Sequence, residues 1–124
     1  MRDFKSLKVW QRAHVLTLEV YRATSVFPKQ ELYGLTSQVR RSSVSIASNL
    51  AEGCGRVGQR EFGYFIQLSI GSANELEYQL LLAKDLGVLG PELHQDLDNT
   101  VRDVRKMLTA LLIKVNREHG ITYR

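Results

Sequence analysis

Cys54 is the single thiol of this 124-residue chain and stands between two glycines, while His14, His94 and His119 are its three imidazoles. A nucleophilic cysteine needs a base and a group to orient that base within hydrogen-bonding reach, and the residues around Cys54 nominate neither. The histidines fall on three separate segments, without an HExxH pair. A dimetal site in a helical bundle needs carboxylates together with Glu-x-x-His repeats, and those repeats are absent. Glu75 and Glu77 are two residues apart, a spacing that turns helical side chains to different faces and so makes no acid–base pair. The expectation is a protein with no catalytic residues, no metal and no cofactor: not an enzyme.

The remaining chemistry is cationic. Gly53-Cys54-Gly55-Arg56-Val57-Gly58 has the glycine content of a phosphate loop but lacks both the preceding strand and the Gly-Lys-Ser/Thr ending. It reads better as a helix terminus, since glycine readily takes the left-handed conformation found at C-terminal caps. Arg56 and Arg60 bracket this turn, and Arg60 opens the following helix, whose positive end favours anions. Further along, Arg102, Lys106 and Arg117 share one side of a helix. This is either a solvated face or a strip that tracks phosphates. Seventeen Lys and Arg against thirteen Asp and Glu give a formal charge of +4, which permits an anionic partner without requiring one. Aromatic residues do not interleave with the cations as they do in a stacking platform for single strands. Nucleic acid, if bound, is therefore held through its backbone, by Arg56, Arg60, Arg102, Lys106 and Arg117.

Four helices must position these groups. Apolar residues recur at 3.6-residue spacing throughout, with no alternating β-branched run, so the chain is all-α. Its length fits one domain over residues 1–124. The first helix spans about residues 7–23 and ends before Phe27-Pro28, because proline disfavours helical geometry in the residue ahead of it. The second spans about 35–52, the third about 60–86 and the fourth about 91–117, with Pro91 in its first turn and a tail over 118–124. Core stripes run through Val9, Ala13, Leu16 and Val20; Leu35, Val39, Ile46 and Leu50; Phe62, Ile66, Ala73, Leu76 and Leu80; and Leu93, Leu97, Val101, Val104, Leu108, Leu111 and Val115. Short connections favour a single antiparallel up-down bundle.

A second apolar stripe flanks the first on two helices: Trp10, Leu18 and Tyr21 on one, and Tyr64, Leu68, Gly71, Tyr78 and Leu82 on the other. That surplus is expected to form a homo-oligomer interface. Gly63 and Gly71 inside a helix suggest a neighbouring backbone too close for a side chain. On the second helix Arg41 falls with Ser45, Ser48 and Glu52, whereas Arg40 lies near the small-residue face. A semi-buried arginine needs an acceptor, and Glu75 is the candidate for a structural ion pair. The start of the sequence lacks the apolar core of a secretory signal and no segment approaches a membrane span. A lone cysteine suits a reducing compartment, so a cytoplasmic location is expected.

Tyr33 to Arg60, reading YGLTSQVRRSSVSIASNLAEGCGRVGQR, places paired arginines in a helix rich in Ser, Ala and Asn that ends in glycines. With FKSLKVW at 4–10, FPKQE at 27–31 and GSANELE at 71–77, it resembles the 23S rRNA intervening-sequence proteins, small bacterial four-helix-bundle proteins. The resemblance covers nearly the whole chain. It implies a ring-like homo-oligomer of five copies, and an accessory role with RNA or a reverse transcriptase as partner, since the family also resembles an accessory protein of diversity-generating retroelements. The alternative is an assembly scaffold with a protein partner and no nucleic acid.

Overall fold

The computed structural model of the protein describes residues 2–118, so the tail from residue 119 onward, with His119, lies outside the described residues. Among the described residues there are four α-helices and no strand: α1 (Lys8–Thr24), α2 (Leu35–Cys54), α3 (Gln59–Asp85) and α4 (Pro91–Glu118). Short 3₁₀ turns at Phe4–Ser6 and Lys29–Glu31 precede α1 and α2. The Asp3 carboxylate caps the first turn by accepting from the Lys5 backbone N–H at 3.1 Å. Each helix packs on its neighbours in sequence, and α1 also meets α4, so the four surround one shared core.

Val9, Ala13, Leu16 and Val20 of α1, Val39, Ile46 and Leu50 of α2, Phe62, Ile66, Leu76 and Leu80 of α3, and Val101, Val104 and Leu108 of α4 are buried together, as their spacing requires. Burial of this kind carries the fold, because truncating one such leucine to alanine typically costs about 2–5 kcal/mol. An exposed ion pair contributes about 1 kcal/mol at most. The α4 stripe differs from expectation in two places. Leu93 is 42% exposed, because Leu89 from the preceding turn, together with His94 and Leu97, closes that end of the interior. Leu111 is half-buried at the core edge and Leu112 takes the interior position.

The α2–α3 seam carries a run of small hydroxyl side chains. Ser69 donates to the Ile46 carbonyl at 2.9 Å, Ser45 and Ser72 hydroxyls lie 2.8 Å apart, and Ser42 donates to Glu75 at 3.0 Å. Side chains this short reach a carbonyl, a carboxylate or another hydroxyl across the seam without separating the backbones. Gly53 completes the seam, since a Cβ there would stand 2.8 Å from Phe65 Cβ and 3.1 Å from Phe62 Cδ1. Thr17 links α1 to α2 by donating to the Ser43 carbonyl at 3.1 Å.

The glycines otherwise sort differently from expectation. Gly53 lies inside α2, and the cap residue Gly55 is right-handed at φ −79°, so the turn into α3 uses no left-handed glycine. Among the described residues the positive-φ glycine is Gly87, at 79°, between α3 and α4. Within the chain Gly71 has open space where its Cβ would be, and Gly63 leaves ordinary van der Waals room beside Asn116 and Leu112. Neither marks a close backbone approach inside the chain.

Gly53→Ala is expected to destabilise the protein by about 1–3 kcal/mol, because the contact is with a Cβ that cannot swing aside. Gly71→Ala meets no atom of its own chain, so the added methyl leaves intrachain packing intact and gains up to ~1 kcal/mol of helix propensity, and it is expected to cost less than Gly53→Ala. Urea unfolding of both variants beside the native protein checks the pair; equal midpoints would contradict the assigned seam.

Candidate nucleic-acid interface

The chain start, the close of α2, the start of α3 and the close of α4 meet at one end of the molecule. The Arg2 backbone N–H donates to the Cys54 carbonyl at 3.0 Å. The Arg2 guanidinium lies 4.1 Å from the centre of the Phe62 ring and donates to the Gln59 side chain. Gly63 of α3 faces Leu112, Val115 and Asn116 of α4. Arg56 and Arg60 are therefore on the same end as Arg117.

The five nominated cations are not equivalent. Arg56 pairs with Glu52 at 3.2 Å, one helical turn back, and lies over the Phe65 ring at 5.0 Å. Arg102 sits 2.9 Å from Asp98 and 3.5 Å from Glu77. Arg105 also pairs with Glu77 and reaches Asn74 at 3.1 Å. Arg102 is thus largely neutralised by carboxylates of α3 and α4, and its α4 side is not the uniformly basic strip expected from spacing. Arg60, Lys106 and Arg117 are exposed and form no ion pair among the described residues. Lys106 lines an open groove between α1 and α4 with Lys8, Gln11, Arg12, Val15, Asp103 and Met107. The groove's one ion pair among the described residues, Arg12–Asp103 at 3.2 Å, spans the two helices.

Arg40 and Glu75 do not pair with each other. Arg40 Nε donates to Thr24 Oγ1 at 2.8 Å, Nη2 reaches the Tyr21 carbonyl at 3.4 Å, and the guanidinium lies over the Tyr21 ring at 4.6 Å. Its helix position turns it toward α1, whereas Glu75 faces α2 through Ser42. Arg40 is held by a hydroxyl, a carbonyl and a ring of α1 rather than by a carboxylate. Arg41 is exposed beside Tyr33, Ser37 and Ser45.

The nominated interface residues form two faces. On α1, Trp10 is half-buried, stacked on His14 with ring centres 5.1 Å apart and edge-on to Phe4 at 4.9 Å. Leu18 and Tyr21 are exposed on the same helix. On α3, Tyr64 and Tyr78 are 58% and 61% exposed, with Leu68 and open Gly71 between them. Leu82 instead packs against the core edge.

Cys54 is buried, and burial pushes its thiol above the ordinary value, against a smaller opposing effect of Arg2. A raised, buried thiol is a poor nucleophile. His14 stacks on Trp10 while His94 lies between α3 and α4, its Nε2 buried without a partner among the described residues. No group of three His, Cys, Asp or Glu side chains is placed to hold a metal among the described residues, and no helix there is long and apolar enough to cross a membrane.

A family model described as 23S rRNA-intervening sequence protein matches residues 5–110. No curated protein gives a significant match. A crystal structure of a protein with unknown function from the S23 ribosomal protein family of Bacteroides thetaiotaomicron superposes with a TM-score of 0.76. The two share 20% identity, over 84% of this chain and 97% of that one. At that identity the likeness is one of fold.

Two outcomes follow from the polar contacts. Arg40→Met is expected to cost about 1 kcal/mol, the loss of a charge-assisted bond on a partly exposed residue, read as a lower melting temperature. The raised folded-state value of the Cys54 thiol means its contribution to stability is complete below the unfolded thiol's range and is lost as pH rises through the folded value. Urea midpoints of native protein should therefore fall more steeply above about pH 9 than those of Cys54→Ala; parallel curves would remove the assignment.

Proposed function

The chain belongs to the 23S rRNA-intervening sequence protein family, and from that premise we propose that it is a non-enzymatic, homo-oligomeric accessory protein that binds RNA through the phosphate backbone. The observation that carries the reading is the set of exposed cations without carboxylate partners among the described residues, Arg60, Lys106 and Arg117. A cation held by a carboxylate must lose that partner to meet a phosphate, whereas these need only shed water and counterions. The sequence's +4 charge adds long-range attraction. A reverse transcriptase is the protein partner that the family's likeness to retroelement accessory proteins suggests, and the cytoplasm is the matching location.

The cross-helix contacts support an antiparallel up-down order. Ser42 meets Glu75, Ser45 meets Ser72, and Gly53 meets Phe62, with numbers rising on one helix as they fall on the other. The exposed α3 face supports assembly: Tyr64, Leu68 and Tyr78 flank a glycine with nothing within 4 Å of its would-be Cβ. A neighbouring copy could approach there without displacing a side chain, and a ring of five is the arrangement proposed. The same face favours the second reading, a scaffold whose partners are proteins alone.

Light scattering of the native protein is expected to give a multiple of the single-chain mass, and Leu68→Arg to lower it; a native monomer at micromolar concentration rules the oligomer out. Fluorescence anisotropy with a labelled structured RNA is expected to show submicromolar binding near ~150 mM salt that weakens steeply as salt rises. No binding there would discard the RNA reading in favour of the scaffold.

A further inference from the structure

We infer that the phosphodiester backbone is taken at one end of the molecule, where the chain start and the close of α4 meet the turn from α2 into α3. This rests on the nucleic-acid reading above and moves the contact surface along α4 toward its close, leaving out Arg102, which is paired with Asp98 and Glu77. Lys5, Arg60, Lys114 and Arg117 are exposed there, on segments joined by the Arg2–Cys54, Arg2–Phe62 and Gly63–Asn116 contacts. None of the four forms an ion pair among the described residues. The nearby acids are partly engaged: Asp3 caps the first turn and Glu52 holds Arg56. Glu61 and Glu118 remain exposed.

The other half of α4 has the opposite character. Glu92, Asp96, Asp98 and Asp103 precede Lys106, Lys114 and Arg117 along the helix. Acids early and bases late suit the helix macrodipole, which would account for Arg117 in the last turn. The dipole does not account for Arg60, which sits in the first turn of α3, where a cation is disfavoured. Nor does it account for Lys106, three turns back from the end of α4, since the effect fades within the terminal turn.

Lys8 and Lys106 extend the surface into the α1–α4 groove. From Lys106 to Arg117 the helix advances about 16 Å, and duplex nucleic acid carries a charge about every 1.7 Å. The track therefore meets several phosphates at once, and the exposed cations along it offer charge without base-reading geometry.

The test is anisotropy titration of a labelled RNA hairpin and a DNA duplex at several salt concentrations. Native protein is compared with two variants of equal charge change. One is Lys5→Glu/Arg60→Glu/Lys114→Glu/Arg117→Glu; the other is Arg22→Glu/Lys29→Glu/Arg41→Glu/Lys84→Glu, drawn from elsewhere on the surface. The first is expected to weaken binding at least ~tenfold and to reduce the salt slope by about one for each phosphate no longer neutralised, on RNA and DNA alike. The second removes the same long-range attraction but no proposed contact, so it is expected to weaken binding clearly less than the first. Equal weakening in both variants would overturn the placement while leaving RNA binding intact, and weakening on only one nucleic acid would overturn the backbone as ligand. If native protein binds neither probe even at low salt, the nucleic-acid reading fails and this placement with it. Circular dichroism and melting confirm folding, and the corresponding four-Gln variant carries the same test if the Glu variant does not fold.

Discussion

Gly53 lets the backbone of α2 come against Phe62 and Phe65 of α3, and much of the remaining geometry follows from that approach. Small hydroxyls continue the seam on the α2 side, at Ser42 and Ser45, and on the α3 side, at Ser69 and Ser72. Apolar side chains of larger volume at these positions would hold the helices apart, since the usual interaxial distance of 8–10 Å depends on the residues at the contact. Serine brings a cost of its own, a hydroxyl to satisfy in a buried place, and the seam meets it with a carboxylate for Ser42, a carbonyl for Ser69 and each other for Ser45 and Ser72. The buried leucines, valines and isoleucines then supply the larger share of stability around a spacing that the small residues set.

That spacing distributes the cations. With one face of α2 turned to α3, Arg40 falls toward α1, where Thr24 and Tyr21 hold it, and Arg41 falls to the outside. At the close of α2 the chain turns directly into α3, so Arg56 and Arg60 are carried to the same end as Arg2. On the α3–α4 side, Glu77 gathers Arg102 and Arg105 and removes both from the pool of unpaired charge. The formal +4 of the sequence is thus a poor guide to where positive potential lies: local carboxylates decide that, helix by helix.

The helices and their core stripes were legible in the sequence because helical periodicity is a property of one segment at a time. Val9 to Val20 and Phe62 to Leu80 needed no knowledge of their neighbours. Leu93 failed because the first turn of a helix competes with the preceding loop, and Leu89 entered the interior instead. The Arg40–Glu75 pairing failed for a different reason: it required the relative rotation of two helices, and periodicity on each leaves that rotation open. The glycines were misassigned likewise. Gly53, Gly63 and Gly71 are equivalent as letters, and only the position of Phe65 distinguishes the one under compression. A signal for Gly53 did exist in the serine- and alanine-rich helix that leads to it, which is the composition of a close-packed face. The gathering of cations at one end lay beyond any single segment, because it depends on four separated stretches of chain being brought together.

The groove between α1 and α4, crossed by one exposed ion pair joining residues 91 positions apart, bears on how the chain reaches this structure. The other three seams join helices adjacent in sequence, so short connections supply their proximity. Closing α1 onto α4 instead orders nearly the whole chain into one loop, and loop-closure entropy rises with the length enclosed. That entropy grows only with the logarithm of loop length, and the three seams between sequence neighbours order the intervening chain, so α1, already held to α2 by Thr17 and Arg40, meets α4 as the last side of a closed ring of contacts.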